Sequence, residues 1–254
     1  MIGVSCPDFC SHNFVEIWNA VSENFKHWEI FSEANHALPT NTGLFLGFRD
    51  DHKDMTYSIH APIADINLAS LNERIREASF MEIYSTMESA KEMGIKTITI
   101  HPGIYSFAVG GMKERSIANA KLTLKMLAHS ARSVGDITLA VENMPSFPIM
   151  MGQTPDELEE LVDGTDLSIC FDIGHANTMN CINEFIDRFK DRLANVHIHD
   201  NMGDRDAHLG LGEGNIDFEA VLSKLKGYTG NYIIESKSLE SAIRSKVVLE
   251  KLIN

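Results

Sequence analysis

Two periods alternate along the chain. Short β-rich runs stand at Ile2–Ser5, Trp28–Phe31, Thr56–His60, Thr97–His101, Thr138–Glu142, Ser168–Asp172, Asn195–His199 and Tyr232–Glu235, eight in all. Between them, apolar residues recur at helical spacing. Leu71–Met93 carries Ile75, Ala78, Met81, Ile83, Met87 and Ala90, and Arg115–Val134 carries Ile117, Ala120, Leu124, Leu127 and Ala131. Further helices are predicted over Thr154–Val162, opened by the cap signal Thr154-Pro155-Asp156-Glu157, and over Ile182–Phe189, Phe218–Leu225 and Leu239–Leu252. The second unit is the weakest, because Pro39–Lys53 offers no convincing helix. Strand alternating with helix implies parallel pairing, and eight such units predict a closed (β/α)₈ barrel, the TIM-barrel architecture of the α/β class.

Parity within the runs agrees with closure. Successive side chains of a strand point to opposite faces. Ile98 and Ile100 therefore share one face while Thr97, Thr99 and His101 share the other. The same division separates Leu139 and Val141 from Thr138, Ala140 and Glu142, Ile169 and Phe171 from Ser168, Cys170 and Asp172, and Val196 and Ile198 from Asn195, His197 and His199. The apolar set is expected against the helices and the small or polar set inside the barrel.

Length and composition fit this picture without altering it. The 254 residues suit one barrel, read as a single domain over 1–254, and 44% hydrophobic with 23% charged residues is ordinary for a globular chain. No apolar stretch approaches a membrane span, and the N-terminus reads as a strand, not a secretory signal, so a cytoplasmic protein is expected. The four cysteines, Cys6, Cys10, Cys170 and Cys181, form no C-x-x-C pair and are expected as reduced thiols. A net charge of −14 argues against nucleic acid or acidic membranes as partners.

The chemistry lies at the strand ends. Six runs close on or near an ionisable residue: His60, His101, Glu142, Asp172, His197 and Glu235. In a (β/α)₈ barrel the carboxyl ends of all strands meet on one face, so these distant residues converge. A lone histidine there is more often a hydrogen-bonded structural group, but six together demand compensation, and a divalent cation supplies it. Among smaller signals, Gly110-Gly111 before Lys113 and Arg115 reads as a flexible loop or a phosphate-holding helix start, and five methionines (Met144, Met150, Met151, Met179, Met202) read equally as a lid or as gap fillers.

The ordered motifs Ser58-Ile59-His60-Ala61-Pro62, His101-Pro102-Gly103, Glu142-Asn143, Phe171-Asp172-Ile173-Gly174-His175-Ala176, His197-Ile198-His199-Asp200, Asp206-Ala207-His208, Leu211-Gly212-Glu213-Gly214-Asn215-Ile216 and Ile234-Glu235 span almost the whole chain. Together they resemble the xylose-isomerase-like TIM-barrel superfamily, which holds sugar isomerases and epimerases together with endonuclease IV. The resemblance implies Glu142, Asp172, His197 and Glu235 as ligands of one metal, Zn²⁺ or Mn²⁺. It implies Glu142 and Glu235 also as the catalytic acid and base. In endonuclease IV the positions matching His60, His101 and Glu142 hold a second ion, and those matching His175, Asp206 and His208 a third, so one to three ions are expected. In a sugar enzyme His60, His101, His175 and Lys237 would instead contact the substrate.

The sugar or sugar-phosphate isomerase/epimerase is preferred, with an endonuclease IV-like AP endonuclease as the alternative and a metal-binding barrel without activity as a third class. Where the nuclease carries a Gly-Gly loop this chain has Cys6-Pro7-Asp8-Phe9-Cys10, and Ile63 stands where a tyrosine would. The predicted mouth offers few phosphate-binding cations: Lys113, Arg115, Arg205 and Lys237. The parity that His197 shares with His199 makes the choice of ligand between them a matter for metal content in His197→Ala and His199→Ala.

Overall fold

A computed structural model of the chain describes residues 1–108 and 110–253. Eight parallel strands, β1 (Ile2–Ser5), β2 (His27–Phe31), β3 (Thr56–His60), β4 (Thr97–Ile100), β5 (Thr138–Glu142), β6 (Ser168–Asp172), β7 (Leu193–Ile198) and β8 (Asn231–Glu235), close into one barrel. Closure is made by β8 against β1, in register from Ile2 opposite Tyr232 to Ser5 opposite Glu235. The barrel is the TIM architecture that the alternation predicts. No helix among the described residues is long and apolar enough to cross a membrane.

The expected parity holds. Ile98, Ile100, Leu139, Val141, Ile169, Phe171, Val196 and Ile198 are buried in the layer between strands and helices. The helices that cover them are α1 (Phe14–Ser22), α2 (Leu38–Phe48), α3 (Glu73–Met93), α4 (Met112–Gly135), α5 (Pro155–Val162), α7 (Ile182–Phe189), α8 (Phe218–Lys224) and α9 (Leu239–Ile253). Thr154 caps α5 by accepting from the Glu157 N–H, as its cap signal predicts. Inside the barrel polar side chains stand beside small and apolar ones such as Ala140, Cys170 and Ile233. Asn195 Nδ2 donates to Thr99 Oγ1 across 3.4 Å, and also to a fully buried carboxylate, Glu29.

Three local expectations are corrected. The second unit does contain a helix, α2, which begins with Pro39 in its first turn and buries Leu38, Asn41, Thr42 and Phe45. Its inward face escapes the apolar pattern because Thr42 Oγ donates back to the Leu38 carbonyl, 2.6 Å away, and Asn41 Nδ2 to the Ala37 carbonyl, so polar residues face inward satisfied. In α3, Ile75 and Met81 point to solvent, while Ser79 and Thr86 occupy the buried face with hydroxyls bonded to carbonyls one turn back. Finally, β4 and β7 stop one residue before His101 and His199, and a short helix, α6 (Ile173–Thr178), starts directly from β6.

Candidate metal centre

Four strands deliver the central group. Glu142, Asp172 and Glu235 are the last residues of β5, β6 and β8, and His197 lies one residue inside the end of β7. All four are buried, and each offers one donor atom within 4.8 Å of the others. His197 Nδ1 is the hub: it lies 3.0 Å from Glu142 Oε1, 3.0 Å from Glu235 Oε1 and 4.0 Å from Asp172 Oδ2.

Two flanking groups share residues or neighbours with it. His60, at the end of β3, and His101, just past β4, bring their Nε2 atoms to 3.3 and 3.0 Å from Glu142 Oε2. On the other side His175, His199, Asp206 and His208 form a second cluster, with His175 Nε2, His199 Nε2 and His208 Nε2 at 3.4, 3.3 and 3.1 Å from Asp206 oxygens. Asp172 caps α6 by accepting the His175 N–H on Oδ1, and the same oxygen stands 3.2 Å from His199 Nε2. The paired parity of His197 and His199 thus resolves into two places, one histidine in each cluster.

Asp206 and His208 reach the site on a long loop between β7 and α8, and one carboxylate organises that loop. Buried Asp200 accepts backbone N–H groups from Asn201 (2.9 Å) and Ile216 (3.3 Å) on Oδ1, and from Gly212 (3.0 Å) and Gly214 (2.9 Å) on Oδ2. His208 itself holds a left-handed φ of 44°, a conformation a non-glycine residue keeps only when its surroundings enforce it.

Burial and charge compete throughout. Burial pushes the Glu142 pKa up, but His197 and hydrogen bonds from His101, His197 and His60 outweigh it and hold the carboxyl well below its usual range. Burial likewise opposes ionisation of Asp172, which His175 and His199 nevertheless carry down to about 2. Against the same desolvation, Asp172 and Asp206 drive His175 well above the ordinary histidine range. At His101 burial prevails over Glu142, and the pKa falls.

The donor set fits a divalent cation. His60 Nδ1 donates to the Ala61 carbonyl at 2.8 Å, and His175 Nδ1 to the Asn143 carbonyl at 2.8 Å, so in each neutral ring the Nε2 lone pair faces carboxylate oxygens. Lone pair against anion is repulsive unless a proton or a cation lies between. Ligand histidines in metal sites are held in just this manner by a carbonyl or carboxylate behind the ring. Asp172 Oδ2, moreover, is buried with no hydrogen-bond donor. An anionic oxygen left so is costly, and a positive ion at the cluster removes the cost.

Of the residues expected from sequence, His60, His101, Glu142, Asp172, His175, His197, Asp206, His208 and Glu235 all meet at this one rim. Lys237 is exposed at its edge, lining an open depression with Pro7, Asp8, His208 and Ser236. Cys6 and Cys10 are buried free thiols, Cys10 Sγ bonding to the Phe31 carbonyl. Met144 and Met151 are core residues and Met202 is exposed. Sequence reasoning passed over three participants: Glu29, Cys170, which lies with Glu142 and His197 at the floor of the site, and Asp200 as organiser of the loop. For Glu29 the signal was present, since it shares the parity of His27 and Phe31 in β2, opposite to the core residues Trp28 and Ile30.

Fold and site together define a (β/α)₈ barrel with carboxylate and imidazole clusters at the carboxyl ends of its strands. The chain belongs to the family of xylose isomerase-like TIM barrels, whose match spans residues 19–251. It is 37% identical, over 98% of its length and 88% of the relative's, to an uncharacterized protein of Methanocaldococcus jannaschii. It is 25% identical to a probable endonuclease 4 of Acholeplasma laidlawii, over 75% of this chain and 66% of that one. Among solved structures, a D-tagatose 3-epimerase-like protein superposes with a TM-score of 0.93 at 35% identity, covering 99% of this chain and 96% of the other.

Proposed function

We propose that the protein is a divalent-metal-dependent isomerase or epimerase of a sugar or sugar phosphate, with Glu142, Asp172, His197 and Glu235 holding the ion and Glu142 and Glu235 moving the proton. The observation that carries this reading is the convergence of those four donor atoms within 4.8 Å of one another. When bound, a Zn²⁺ or Mn²⁺ ion would act as a Lewis acid toward the carbonyl and hydroxyl oxygens of an open-chain sugar. Inverting a carbon next to a carbonyl requires one group to take its proton and another to return it, and two carboxylates are suited to that exchange. Glu142 Oε1 and Glu235 Oε1 both border His197 Nδ1 at 3.0 Å, so both reach a single small substrate. His60, His101 and His175 line the same rim as partners for sugar hydroxyls, with Lys237 at the edge for a phosphate or a further hydroxyl.

The test is proton exchange. Metal-loaded protein is incubated in D₂O with a panel of ketoses and ketose phosphates, and deuterium entering the carbon beside the carbonyl is followed by NMR. Incorporation is expected for at least one sugar and none after chelation. A second reading, metal-dependent cleavage of abasic DNA, draws support from the flanking clusters, which offer donor atoms for two more ions. Cutting of an abasic duplex by protein that exchanges no sugar proton would replace the first reading with the second.

A further inference from the structure

A carboxylate lies beneath the candidate metal centre, inside the barrel and out of reach of any substrate. Glu29 is fully buried. Its Oε2 accepts from Ser58 Oγ at 2.8 Å and from Asn195 Nδ2. Its Oε1 stands 2.7 Å from His197 Nε2 as an ion pair, and neither of those two atoms has a hydrogen-bond partner elsewhere or at that contact's present angle. The hydrogen bonds below run one way: His27 Nε2 lies 3.0 Å from Ser58 Oγ, whose own proton goes to Glu29. Every neighbour therefore presents a donor to this carboxylate.

We infer that Glu29 is a positioning residue for the candidate metal centre, fixing His197 with its proton on Nε2 and its Nδ1 lone pair toward Glu142, Asp172 and Glu235. The inference rests on the metal reading proposed above. An oxygen anion 2.7 Å from a ring nitrogen is attractive only if that nitrogen carries the proton, which leaves the other nitrogen free to accept. His60 and His175 are oriented by neutral backbone carbonyls. His197, at the hub, is the one of the three backed by a full negative charge, which raises the basicity of a ligand more than a carbonyl does. A buried carboxylate is expensive where an amide would fill the same space, so the charge itself is what the position requires.

The experiment uses the full chain loaded with Zn²⁺ or with ¹¹³Cd²⁺. In the unaltered protein, ¹¹³Cd coupling is expected to His197 Nδ1, with an exchange-protected proton on Nε2. Coupling to Nε2 overturns the inference without any substitution at position 29. In Glu29→Gln the space is kept, and the unpartnered Asn195 Oδ1 can turn to meet the new amide group, so the barrel should fold. Chelator competition should then show affinity at the His197 site lowered on the order of 10- to 100-fold, with any ion at the His175–Asp206–His208 cluster unaffected. Equal affinity in the two proteins overturns the role of Glu29 alone. Failure of the unaltered protein to bind Zn²⁺ or Cd²⁺ overturns the metal reading and the role of Glu29 with it.

Discussion

Substituting Asp200→Asn should detach the loop that carries Asp206 and His208 while leaving the barrel folded. The carboxylate accepts four backbone N–H groups, two on each oxygen, from Asn201, Gly212, Gly214 and Ile216. In the amide one of the two positions becomes an N–H₂ that faces two N–H groups, so two charge-assisted bonds are lost whichever way it turns. At about 1.5 to 3 kcal/mol each, the loss is about 3 to 6 kcal/mol. That sum rivals the whole stability of an ordinary domain, about 5 to 15 kcal/mol, but the loop can open without the barrel. The other ties are single hydrogen bonds, among them the paired Asp200 and Leu209 backbone bonds, Asn215 N to the Asn201 carbonyl, Asn177 Nδ2 bridging the Asn201 and Asn215 side chains, Asn201 Nδ2 to the Gly174 carbonyl and Leu211 N to Ser245 Oγ. Local opening is therefore the cheaper response. Amide exchange at Gly212 and Gly214 should accelerate by roughly two to four powers of ten, while the β-strand amides keep their protection. Cation binding at the His175, His199, Asp206 and His208 cluster should disappear, and binding at Glu142, Asp172, His197 and Glu235 should persist. Unchanged exchange at Gly212 and Gly214 in the variant would refute the bonding argument.

Three further outcomes are expected. Glu142→Gln should lower sugar-proton exchange on the order of 10²- to 10⁴-fold with the fold intact, and a variant that exchanges normally would remove Glu142 from proton transfer. A methyl group at Gly174 would overlap the buried ring of His199, so Gly174→Ala should destabilise by about 1 to 3 kcal/mol and disturb the second cluster first; urea unfolding at full stability would contradict the packing. His36 is buried edge-on to Phe14 and Trp28 with neither ring nitrogen partnered, and burial lowers its pKa to about 4. In the unfolded chain it titrates near ~6.5. Between those values the unfolded state takes up a proton that the folded state refuses, so stability falls as pH falls, by about 2 kcal/mol at pH ~5. His36→Phe removes that penalty, and its stability relative to the unaltered protein should improve by about 2 kcal/mol from pH ~7 to pH ~5 in urea melts; a pH-independent difference would show that His36 is protonated in place.

What was legible in the sequence followed from local rules. Strand parity is a two-residue property, so Ile98, Leu139, Phe171 and Val196 declared their faces, and a barrel converts the order of strand ends into a ring of neighbours. What stayed hidden depends on distant partners. Helix α2 was obscured because Asn41 and Thr42 face inward by bonding to their own backbone, and because Gly43 and Gly47 interrupt the pattern without meeting any neighbour. Strand parity places Glu29 on the inward face of β2, but its role shows only when Ser58, Asn195 and His197, up to 168 positions away in number, are brought to it. Asp200 reads as part of a ligand motif, whereas its oxygens turn to loop amides up to sixteen residues on.

A sugar and a phosphodiester make different demands on the same imidazoles. His60 and His175 have Nδ1 committed to backbone carbonyls, so in the neutral ring each carries its lone pair on Nε2, where it can accept from a hydroxyl or bind a cation. A single ion at His197 leaves those nitrogens to hold a polyhydroxyl chain, whereas three ions would consume them and turn the rim into a cationic clamp. The balance is set by what shares each nitrogen. His175 Nε2 is 3.4 Å from the Asp206 carboxylate, which already brings anionic charge to that side, whereas His60 and His101 share one oxygen of Glu142. The His60 and His101 pair therefore has less negative charge to hold a second ion and more freedom to meet a hydroxyl. If the proposed sugar chemistry holds, the Glu142 flank is where the substrate would dock, and measured binding of a second ion there in preference to the Asp206 cluster would reverse the assignment.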